Sequence, residues 1–301
     1  MTSYKTDGKV GPWAAEKLEC LRTYLGPYTT ILKGQSWCEA YYYVDAFAGS
    51  GRAEVRALTP SVEAGELQLF DDIYQSPDIQ SYVDGSPRVA LEIEHPFSKY
   101  VFIEQNSKHA LQLQKLRDEY PGKSIDVVEG DANVALSNFV LRSGVNWKKA
   151  RAVAFLDPYG MQVRWATIET LARTHAIEVI INNPIPMAIQ RLLSRDANLP
   201  DRWIDLLNGY FGTPDWEDVV YEKTNDLFGE SIHKRSASAP ALGRFYNNRL
   251  KQEFGYAAST RVVRNTRGTE LYYLHWAGPN KTGLKIANHV LSQGETIKSR
   301  P

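Results

Sequence analysis

The chain has 301 residues, of which 43% are hydrophobic and 23% are charged, a composition typical of a globular protein with a sizeable core. Its 35 basic residues balance its 35 acidic ones, which excludes a uniformly basic polyanion binder. The sequence contains neither a membrane span nor a signal peptide, and its two cysteines are too few for a disulfide framework or a zinc site, so we expect a cytoplasmic protein without a metal centre.

A helical pattern opens the chain. Apolar residues recur at helical spacing over residues 13–32 and predict a helix, which Gly26 and Pro27 are expected to break.

Short runs of Val, Ile, Tyr and Phe then alternate with further helical patterns. Continuous apolar runs of this kind are typical of parallel strands that are buried on both faces. Alternation of strands and helices implies a parallel sheet with crossover helices. The predicted strands cover residues 41–46, 100–103, 125–128, 152–156 and 179–181. The predicted helices between them cover residues 107–120, 132–143 and 165–174.

A long stretch, residues 52–95, separates the first two predicted strands and is rich in acidic and turn-forming residues. Two interpretations stay open: a functional or mobile loop, which loops of this length often are, and an inserted surface excursion.

The C-terminal third has a different pattern. Residues 191–255 are predicted to be largely helical, residues 259–263 and 271–276 to form a hairpin, and residues 281–291 to form a last helix. We therefore predict three units within an α/β fold. They are a Rossmann-like core with its N-terminal helix (1–190), a helical insertion or lid (191–256), and an antiparallel hairpin with a helix that completes the core (257–301).

Charge is distributed unevenly along the chain. Residues 231–300 contain twelve basic and three acidic residues, which is typical of a polyanion-binding surface but also of solvated helix faces. Residues 233–238 are interpreted as a mobile basic loop in which Lys234 and Arg235 are candidate contacts to substrate phosphate. An ordinary exposed loop is the alternative.

The candidate site residues follow the predicted strands. In doubly wound sheets, ligands bind beyond the carboxyl ends of the strands. Asp45 ends the first strand and leads into a glycine-containing turn, where a carboxylate can meet a cationic ligand and glycines allow close approach. Glu104 ends the second strand, where an acid binds ribose hydroxyls in nucleotide-binding folds. Asp131, after the third strand, is expected to cap the next helix and to lie within reach of an adenine amino group.

The fourth strand ends in Asp157-Pro158-Tyr159-Gly160. A carboxylate and a proline carbonyl can both accept hydrogen bonds from an exocyclic amine, and a tyrosine can stack on a flat base. A turn with a buried tyrosine is the alternative.

The four segments, DAFAGSG, FIE, GDAN and DPYG, resemble motifs I to IV of class I S-adenosylmethionine (SAM) methyltransferases. The whole chain more narrowly resembles the three-Cys-motif partner protein (TcmP) family. That likeness rests on a lysine-containing segment (17–33), on GSPRVAL (85–91), on Trp165 beyond the DPYG site, and on LHWA (274–277).

The resemblance implies a class I methyltransferase fold, SAM as cofactor, and a role for each matched residue. Asp45, Phe47, Gly49 and Gly51 are expected to line the methionine and ribose part of SAM, and Glu104 to bind its ribose.

The remaining matched residues are assigned to the adenine and to the acceptor. Asp131 and Ala132 are expected near the adenine, and Asp157, Pro158 and Tyr159 at the methyl acceptor, with Gly160 contributing to substrate binding.

DPYG lacks one proline of the Asp/Asn-Pro-Pro-Tyr/Phe sequence of base-amino methyltransferases and is similar to the DP[FY]G of tRNA guanine-N2 methyltransferases. FAGSG followed by a DPxY-type site is similar to amino-group methyltransferases that act on nucleic-acid bases, and this resemblance makes a nucleobase amino group in nucleic acid the expected acceptor.

Three alternatives stay open: a methyltransferase of a small molecule or peptide in a biosynthetic pathway, a non-catalytic SAM-fold partner of a three-Cys-motif radical-SAM-like protein, and a nicotinamide-dependent oxidoreductase. The last leaves DPYG unexplained. A hydroxyl acceptor requires a base, for which His175 and His233 are candidates.

Overall fold

A mostly parallel sheet organises the fold. Within the residues that the computed structural model describes (12–51, 85–226, 229–265 and 267–297) it has eight strands, and a second sheet has two. In chain order the strands are β1 (Ala40–Asp45), β2 (Lys99–Glu104), β3 (Ile125–Glu129), β4 (Ala150–Leu156), β5 (Ile177–Asn183), β6 (Tyr221–Asp226), β7 (Gly229–Lys234), β8 (Tyr256–Ala257), β9 (Arg261–Arg264) and β10 (Glu270–Gly278).

Helices connect the strands and cover the large sheet. They are α1 (Pro12–Lys33), α2 (Ser86–Leu91), α3 (Ser107–Gln114), α4 (Leu116–Glu119), α5 (Ala132–Arg142), α6 (Trp165–Ala172), α7 (Gln190–Leu192), α8 (Asp201–Phe211), α9 (Trp216–Val220), α10 (Ser238–Phe254) and α11 (Lys281–Leu291). A π-helical turn, Ile185–Ile189, leads into α7.

The strand order of the large sheet is β3-β2-β1-β4-β5-β10-β8, and β9 pairs with β10. The first five strands in this order are parallel, whereas β10 is antiparallel to β5, β8 and β9. The α/β, Rossmann-like fold class is therefore as predicted, with a mostly parallel sheet that a C-terminal antiparallel hairpin completes.

Alternate residues of the strands supply two hydrophobic clusters, one on each face of the sheet. On β1, Tyr43 belongs to the cluster that includes Leu25 of α1. Its neighbour Val44 belongs to the cluster that includes Ile168 of α6 and Tyr246 of α10. Burial on both faces explains why the strands lack an apolar–polar alternation.

The N-terminal helix is continuous, so the predicted break at Gly26 and Pro27 is wrong. The Thr30 hydroxyl donates a hydrogen bond at 2.8 Å to the carbonyl oxygen of Gly26, the residue before the proline. Leu25 and Tyr28, on either side of the proline, are buried in the core, and this packing outweighs the local cost of proline.

The region 191–256 is less helical than predicted, since β6 and β7 form an antiparallel hairpin within it. His233 and Lys234 lie in β7, so the predicted mobile loop over residues 233–238 is wrong for these two positions. Tyr246 of α10 and Leu207 of α8 share one hydrophobic cluster with strands of the large sheet. The division into three units stays a prediction.

The stretch over residues 52–95 is only partly irregular, because α2 lies within it; residues 52–84 are outside the described part of the chain. The predicted C-terminal hairpin is present as β9 and β10, and Thr266 in its loop is likewise outside the described residues. In the described ranges, none of the helices combines the length and apolarity that crossing a bilayer requires.

Candidate functional site

The four predicted carboxylates lie along one edge of the sheet, at the carboxyl ends of β3, β2, β1 and β4. Asp45 at the end of β1 is in register with Phe102 of β2 and Phe155 of β4. Glu104 is paired with Glu129, the last residue of β3. Asp131 and Asp157 follow β3 and β4 by one or two residues. Parallel strands therefore bring together residues that are far apart in sequence.

Asp45 is fully buried at the start of the turn after β1. It accepts hydrogen bonds from the Tyr43 hydroxyl at 3.2 Å and from the Phe47 amide at 3.4 Å. Burial raises the pKa of Asp45 to about 7, the nearby Asp157 carboxylate acts in the same direction, and a hydrogen bond from Ser86 opposes them. Asp45 is thus a carboxyl group that changes charge near neutral pH and that a cationic ligand would ionise.

The turn that follows Asp45 depends on two glycines in left-handed conformation, Gly49 with φ of 61° and Gly51 with φ of 68°. Residues with a Cβ rarely adopt such angles. A Cβ on Gly51 would also lie 3.1 Å from Leu116 Cδ1. Since neither glycine has a side chain, a ligand can approach the backbone of this turn closely.

Glu104 connects the ends of β1 and β2. Its Oε2 accepts a hydrogen bond from the Gly49 amide at 2.9 Å, and its Oε1 accepts one from the Asn106 amide at 2.8 Å. Each carboxylate oxygen has a second lone pair, so the group can still accept bonds from two vicinal hydroxyls. The position fits the predicted ribose contact.

The helix α2 supports this turn, a role that the sequence patterns did not indicate. Ser86 donates a hydrogen bond to the Asp45 carboxylate, and Arg88 Nε donates to the Gly51 carbonyl at 2.6 Å. Arg88 also forms an ion pair with Glu119 at 2.6 Å. In the sequence, the segment GSPRVAL stood out only by its family resemblance. In the structure, its Ser86 and Arg88 side chains stabilise the turn after β1.

Asp131 caps α5, accepting a hydrogen bond from the Val134 amide at 3.0 Å, as predicted for a residue before a helix. Ala132 is buried beside it. The next residue, Asn133, bonds to the Gln162 carbonyl at 2.8 Å and accepts a bond from the Arg164 amide at 2.9 Å. It thereby links the first turn of α5 to the loop after β4. The adenine contact of Asp131 and Ala132 stays a prediction.

Asp157 has two buried partners that the sequence patterns did not reveal. Lys17 of α1 forms an ion pair with Oδ2, and Asn182 at the end of β5 donates to Oδ1 at 2.7 Å. Lys17 is 1% exposed and Asn182 is 0% exposed, whereas the Asp157 side chain is 8% exposed. Desolvation lowers the pKa of Lys17, and the Asp157 carboxylate is the main group that opposes this effect.

The residues after Asp157 differ in exposure. Pro158 and Gly160 are buried, while Tyr159 is 40% exposed. The Tyr159 amide donates to Gln162 Oε1 at 2.8 Å, which fixes the loop. The alternative of a buried tyrosine in a simple turn does not apply, because the ring faces the surface.

Lys234 and Arg235 have partners within the insertion. The Lys234 amine donates to the carbonyls of Gln190 and Leu193, both at 2.8 Å, and so satisfies the end of α7. Arg235 lies 3.3 Å from Glu222. These bonds give both side chains a structural role, and substrate contact stays a prediction without support from the geometry.

The two histidines considered as bases differ in position. His175 precedes β5 and therefore lies toward the amino edge of the sheet, opposite the candidate site. His233 is exposed on β7 and bonds to Ser231 at 3.1 Å. Across the described ranges, His, Cys, Asp and Glu side chains form no group of three that is arranged to hold a metal ion.

Comparisons with known proteins give low similarity. No family model matches the chain, and no curated protein matches it. Protein LPL1258 from Legionella pneumophila, of family DUF519, is 14% identical, with a TM-score of 0.43 over 89% of this chain and 98% of its own.

Two further solved structures are similar at the same level. One is yhhF from Escherichia coli, described as a candidate methyltransferase, at 14% identity and a TM-score of 0.35 over 93% of this chain and 90% of its own. The other is the N-terminal domain of EvdMO1, solved with SAH and D-fucose, at 10% identity and a TM-score of 0.38 over 91% of this chain and 85% of its own. At these scores, the matches assign no function to this chain. Its fold class follows from the strand order of the large sheet.

Proposed function

We propose that this protein is a SAM-dependent methyltransferase whose cofactor lies along the ends of β1 and β2 and whose acceptor lies at Asp157-Pro158-Tyr159-Gly160. The observation that carries this proposal is the arrangement of Asp45, Glu104 and Asp157 on adjacent parallel strands, with Glu104 bonded to the Gly49 amide. A nicotinamide enzyme would use the same edge but would leave the acceptor motif without a purpose.

The residues present fit SAM. Asp45 lies buried beneath the turn, where its carboxyl group would attract the methionine ammonium electrostatically, and Gly49 and Gly51 allow the turn to approach the cofactor. Glu104 would bind the ribose hydroxyls. Asp131 and Ala132 lie at the adjoining end of β3 and α5, where the adenine is expected.

The main role of the protein's own residues is to position the acceptor. When bound, SAM supplies an activated methyl group on a sulfonium, which is its own leaving group. Asp157 would accept a hydrogen bond from an amine and direct the nitrogen lone pair at the methyl carbon, while the exposed ring of Tyr159 would stack on a planar acceptor. Such positioning contributes roughly 7–11 kcal/mol to lowering a barrier.

We further propose that the acceptor is an amino group of a nucleobase in nucleic acid. The exposed Tyr159 ring beside a carboxylate supports this, since aromatic side chains stack on bases that are single-stranded or flipped out. The basic C-terminal region supports this acceptor less than its net charge suggests, because two of its arginines form ion pairs within the protein. Arg261 pairs with Glu16 at 2.6 Å, and Arg264 pairs with Glu270 at 2.9 Å.

Transfer of tritiated methyl groups from SAM to a pool of unmodified RNA and DNA oligonucleotides tests the function. We expect incorporation by the wild type, loss of incorporation in Asp157→Ala, and unchanged SAM binding in that variant. A variant that loses incorporation together with SAM binding would contradict the assignment of Asp157 to the acceptor.

Salt separates the substrate classes. Oligonucleotide affinity should fall steeply as the salt concentration rises, because bound phosphates release counterions. Absent or salt-independent oligonucleotide binding, with SAM binding retained, would instead favour the small-molecule or peptide acceptor.

The TcmP relationship is also a proposal, and it implies a three-Cys-motif radical-SAM-like partner. Its structural support is that the GSPRVAL segment contacts the turn after β1 through Ser86 and Arg88. Co-purification of this chain with such a partner tests it. If the partner alone performs the chemistry and Asp157→Ala leaves the complex fully active, the chain is a binding partner and not an enzyme.

A further inference from the structure

The N-terminal helix brings a lysine into the acceptor site. Lys17 and Asp157 are 140 residues apart in sequence, and their charged groups are in direct contact in the interior. A buried lysine without a partner is costly. The contact therefore places α1 against the end of β4, where the acceptor motif begins.

Both oxygens of Asp157 are held. Lys17 contacts Oδ2, and Asn182 donates to Oδ1. Because an ionised carboxylate only accepts hydrogen bonds, the amide group of Asn182 must turn its NH₂ toward Asp157. The plane of the carboxylate is fixed from two sides, by α1 and by β5.

This arrangement still leaves room for an acceptor. Each carboxylate oxygen can accept two hydrogen bonds, and the Asp157 side chain retains 8% exposure while Lys17 has 1%. An incoming amine can therefore reach Asp157 but not Lys17. The lysine can act on the acceptor only through the carboxylate.

The Asp157 carboxylate lies among further acidic groups, and Lys17 is the cation beside it. From β1, Asp45 and the Tyr43 hydroxyl face Asp157, and Ser86 of α2 reaches Asp45. Neighbouring acidic groups disfavour ionisation of one another. Among the charged groups recorded in this cluster, the Lys17 ammonium is the positive one that opposes this effect.

We propose that Lys17 is a positioning residue for the methyl acceptor, which holds the Asp157 carboxylate in a fixed orientation. This inference rests on the proposed function. It makes α1, which lies outside the four motifs, a necessary part of the acceptor site.

Kinetics of Lys17→Met test the inference, with Lys33→Met on the exposed end of the same helix as the control. Using tritiated SAM and the oligonucleotide pool, we expect kcat at pH 7 to fall at least tenfold in Lys17→Met while SAM affinity changes less than threefold. Lys33→Met should behave as the wild type.

A double-variant comparison separates positioning from a purely structural role. If Lys17 acts through Asp157, Lys17→Met combined with Asp157→Asn should have the same kcat as Asp157→Asn alone. This comparison with Asp157→Asn remains possible if Lys17→Met alone does not fold, because the double variant removes both members of the buried ion pair. A further tenfold loss in the double variant would overturn the inference.

The failures are distinguishable. Wild-type transfer with an unchanged kcat in Lys17→Met overturns the inference and leaves the proposed function intact. A folded wild type that transfers no methyl group to any acceptor overturns the proposed function, and the inference with it.

Discussion

The chemistry of Asp45 is strongly altered by its surroundings. It is fully buried at the end of β1, next to the Asp157 carboxylate. Burial raises the pKa of Asp45 to about 7. It can therefore be neutral in the free protein and charged beside a cationic ligand. Binding of such a ligand then has to be coupled to loss of a proton.

SAM affinity should consequently depend on pH. We expect it to rise roughly tenfold between about pH 6 and pH 7.5, because the apparent affinity scales with the ionised fraction of Asp45. Calorimetry across this range measures it. Asp45→Asn should bind more weakly and lose this rise, whereas a variant with the wild-type slope would show that another group titrates.

At the level of residues, the sequence predicts the acidic side chains better than their partners. Asp45, Glu104 and Asp157 could be predicted because each follows a buried strand, and parallel strands align their carboxyl ends. Lys17 and Asn182 could not be assigned a role, because neither has a local pattern and their contacts with Asp157 depend on tertiary packing. A lysine on the otherwise largely apolar buried face of α1 was the available signal.

Among the structural elements, the turn after β1 has the strictest conformational requirement. Gly51 has a φ of 68°, is adjoined by Leu113 and Leu116, and has its carbonyl bound by Arg88 of α2. The turn is thus fixed by its own backbone and by three neighbouring helices, α2, α3 and α4.

Gly51→Ala should lower the free energy of unfolding by about 1–2 kcal/mol, the cost of a left-handed conformation for a residue with a Cβ. It should also weaken SAM binding. Urea denaturation and calorimetry measure the two effects, with Gly122→Ala as the control, since a Cβ there meets no atom within 4 Å. Equal stability of the two variants would show that the turn is not constrained as described.

Element boundaries were predictable where local signals and packing agree. The last helix begins at Lys281 and ends at Leu291 as predicted, and Asn280 caps it through the Gly283 amide at 2.7 Å. The hairpin of β6 and β7 was missed because its strands are rich in polar residues and lack an apolar alternation. The continuity of α1 through Pro27 depends on packing that its own sequence does not show.

On the scale of the whole molecule, a second buried carboxyl group joins three elements. Glu178 of β5 accepts hydrogen bonds from the Tyr24 hydroxyl of α1 and from Asn280 Nδ2, the latter at 2.7 Å. It is 2% exposed, and burial raises its pKa to about 7. Because α1 carries both Tyr24 and Lys17, this cluster also sets the position of the acceptor-site lysine.

Global stability should therefore fall as the pH rises. A carboxyl group with a raised pKa holds its proton longer in the folded state than in the unfolded state, so unfolding becomes easier between about pH 4.5 and pH 7. Glu178 alone would contribute about 3 kcal/mol to this decrease, and Asp45 acts in the same direction.

Glu178→Gln should be relatively more stable at pH 7.5 than at pH 5, compared with the wild type, in urea denaturation. Glu169→Gln, which changes a surface pair with Arg173 at 3.3 Å, is the control and should leave the slope unchanged. Parallel pH dependences of the wild type and Glu178→Gln would show that Glu178 is ionised in the folded protein throughout this range.

The central claim is that SAM binds along the carboxyl edge of β1 and β2. Calorimetric titration of SAM into the wild type, Glu104→Ala and Asp126→Ala tests it most directly, since Asp126 is an exposed acid of the adjacent strand that pairs with Lys99. We predict one SAM per chain for the wild type and Asp126→Ala, and at least tenfold weaker binding for Glu104→Ala. A wild type that binds neither SAM nor SAH, or a Glu104→Ala variant that binds SAM as tightly as Asp126→Ala, would contradict the claim.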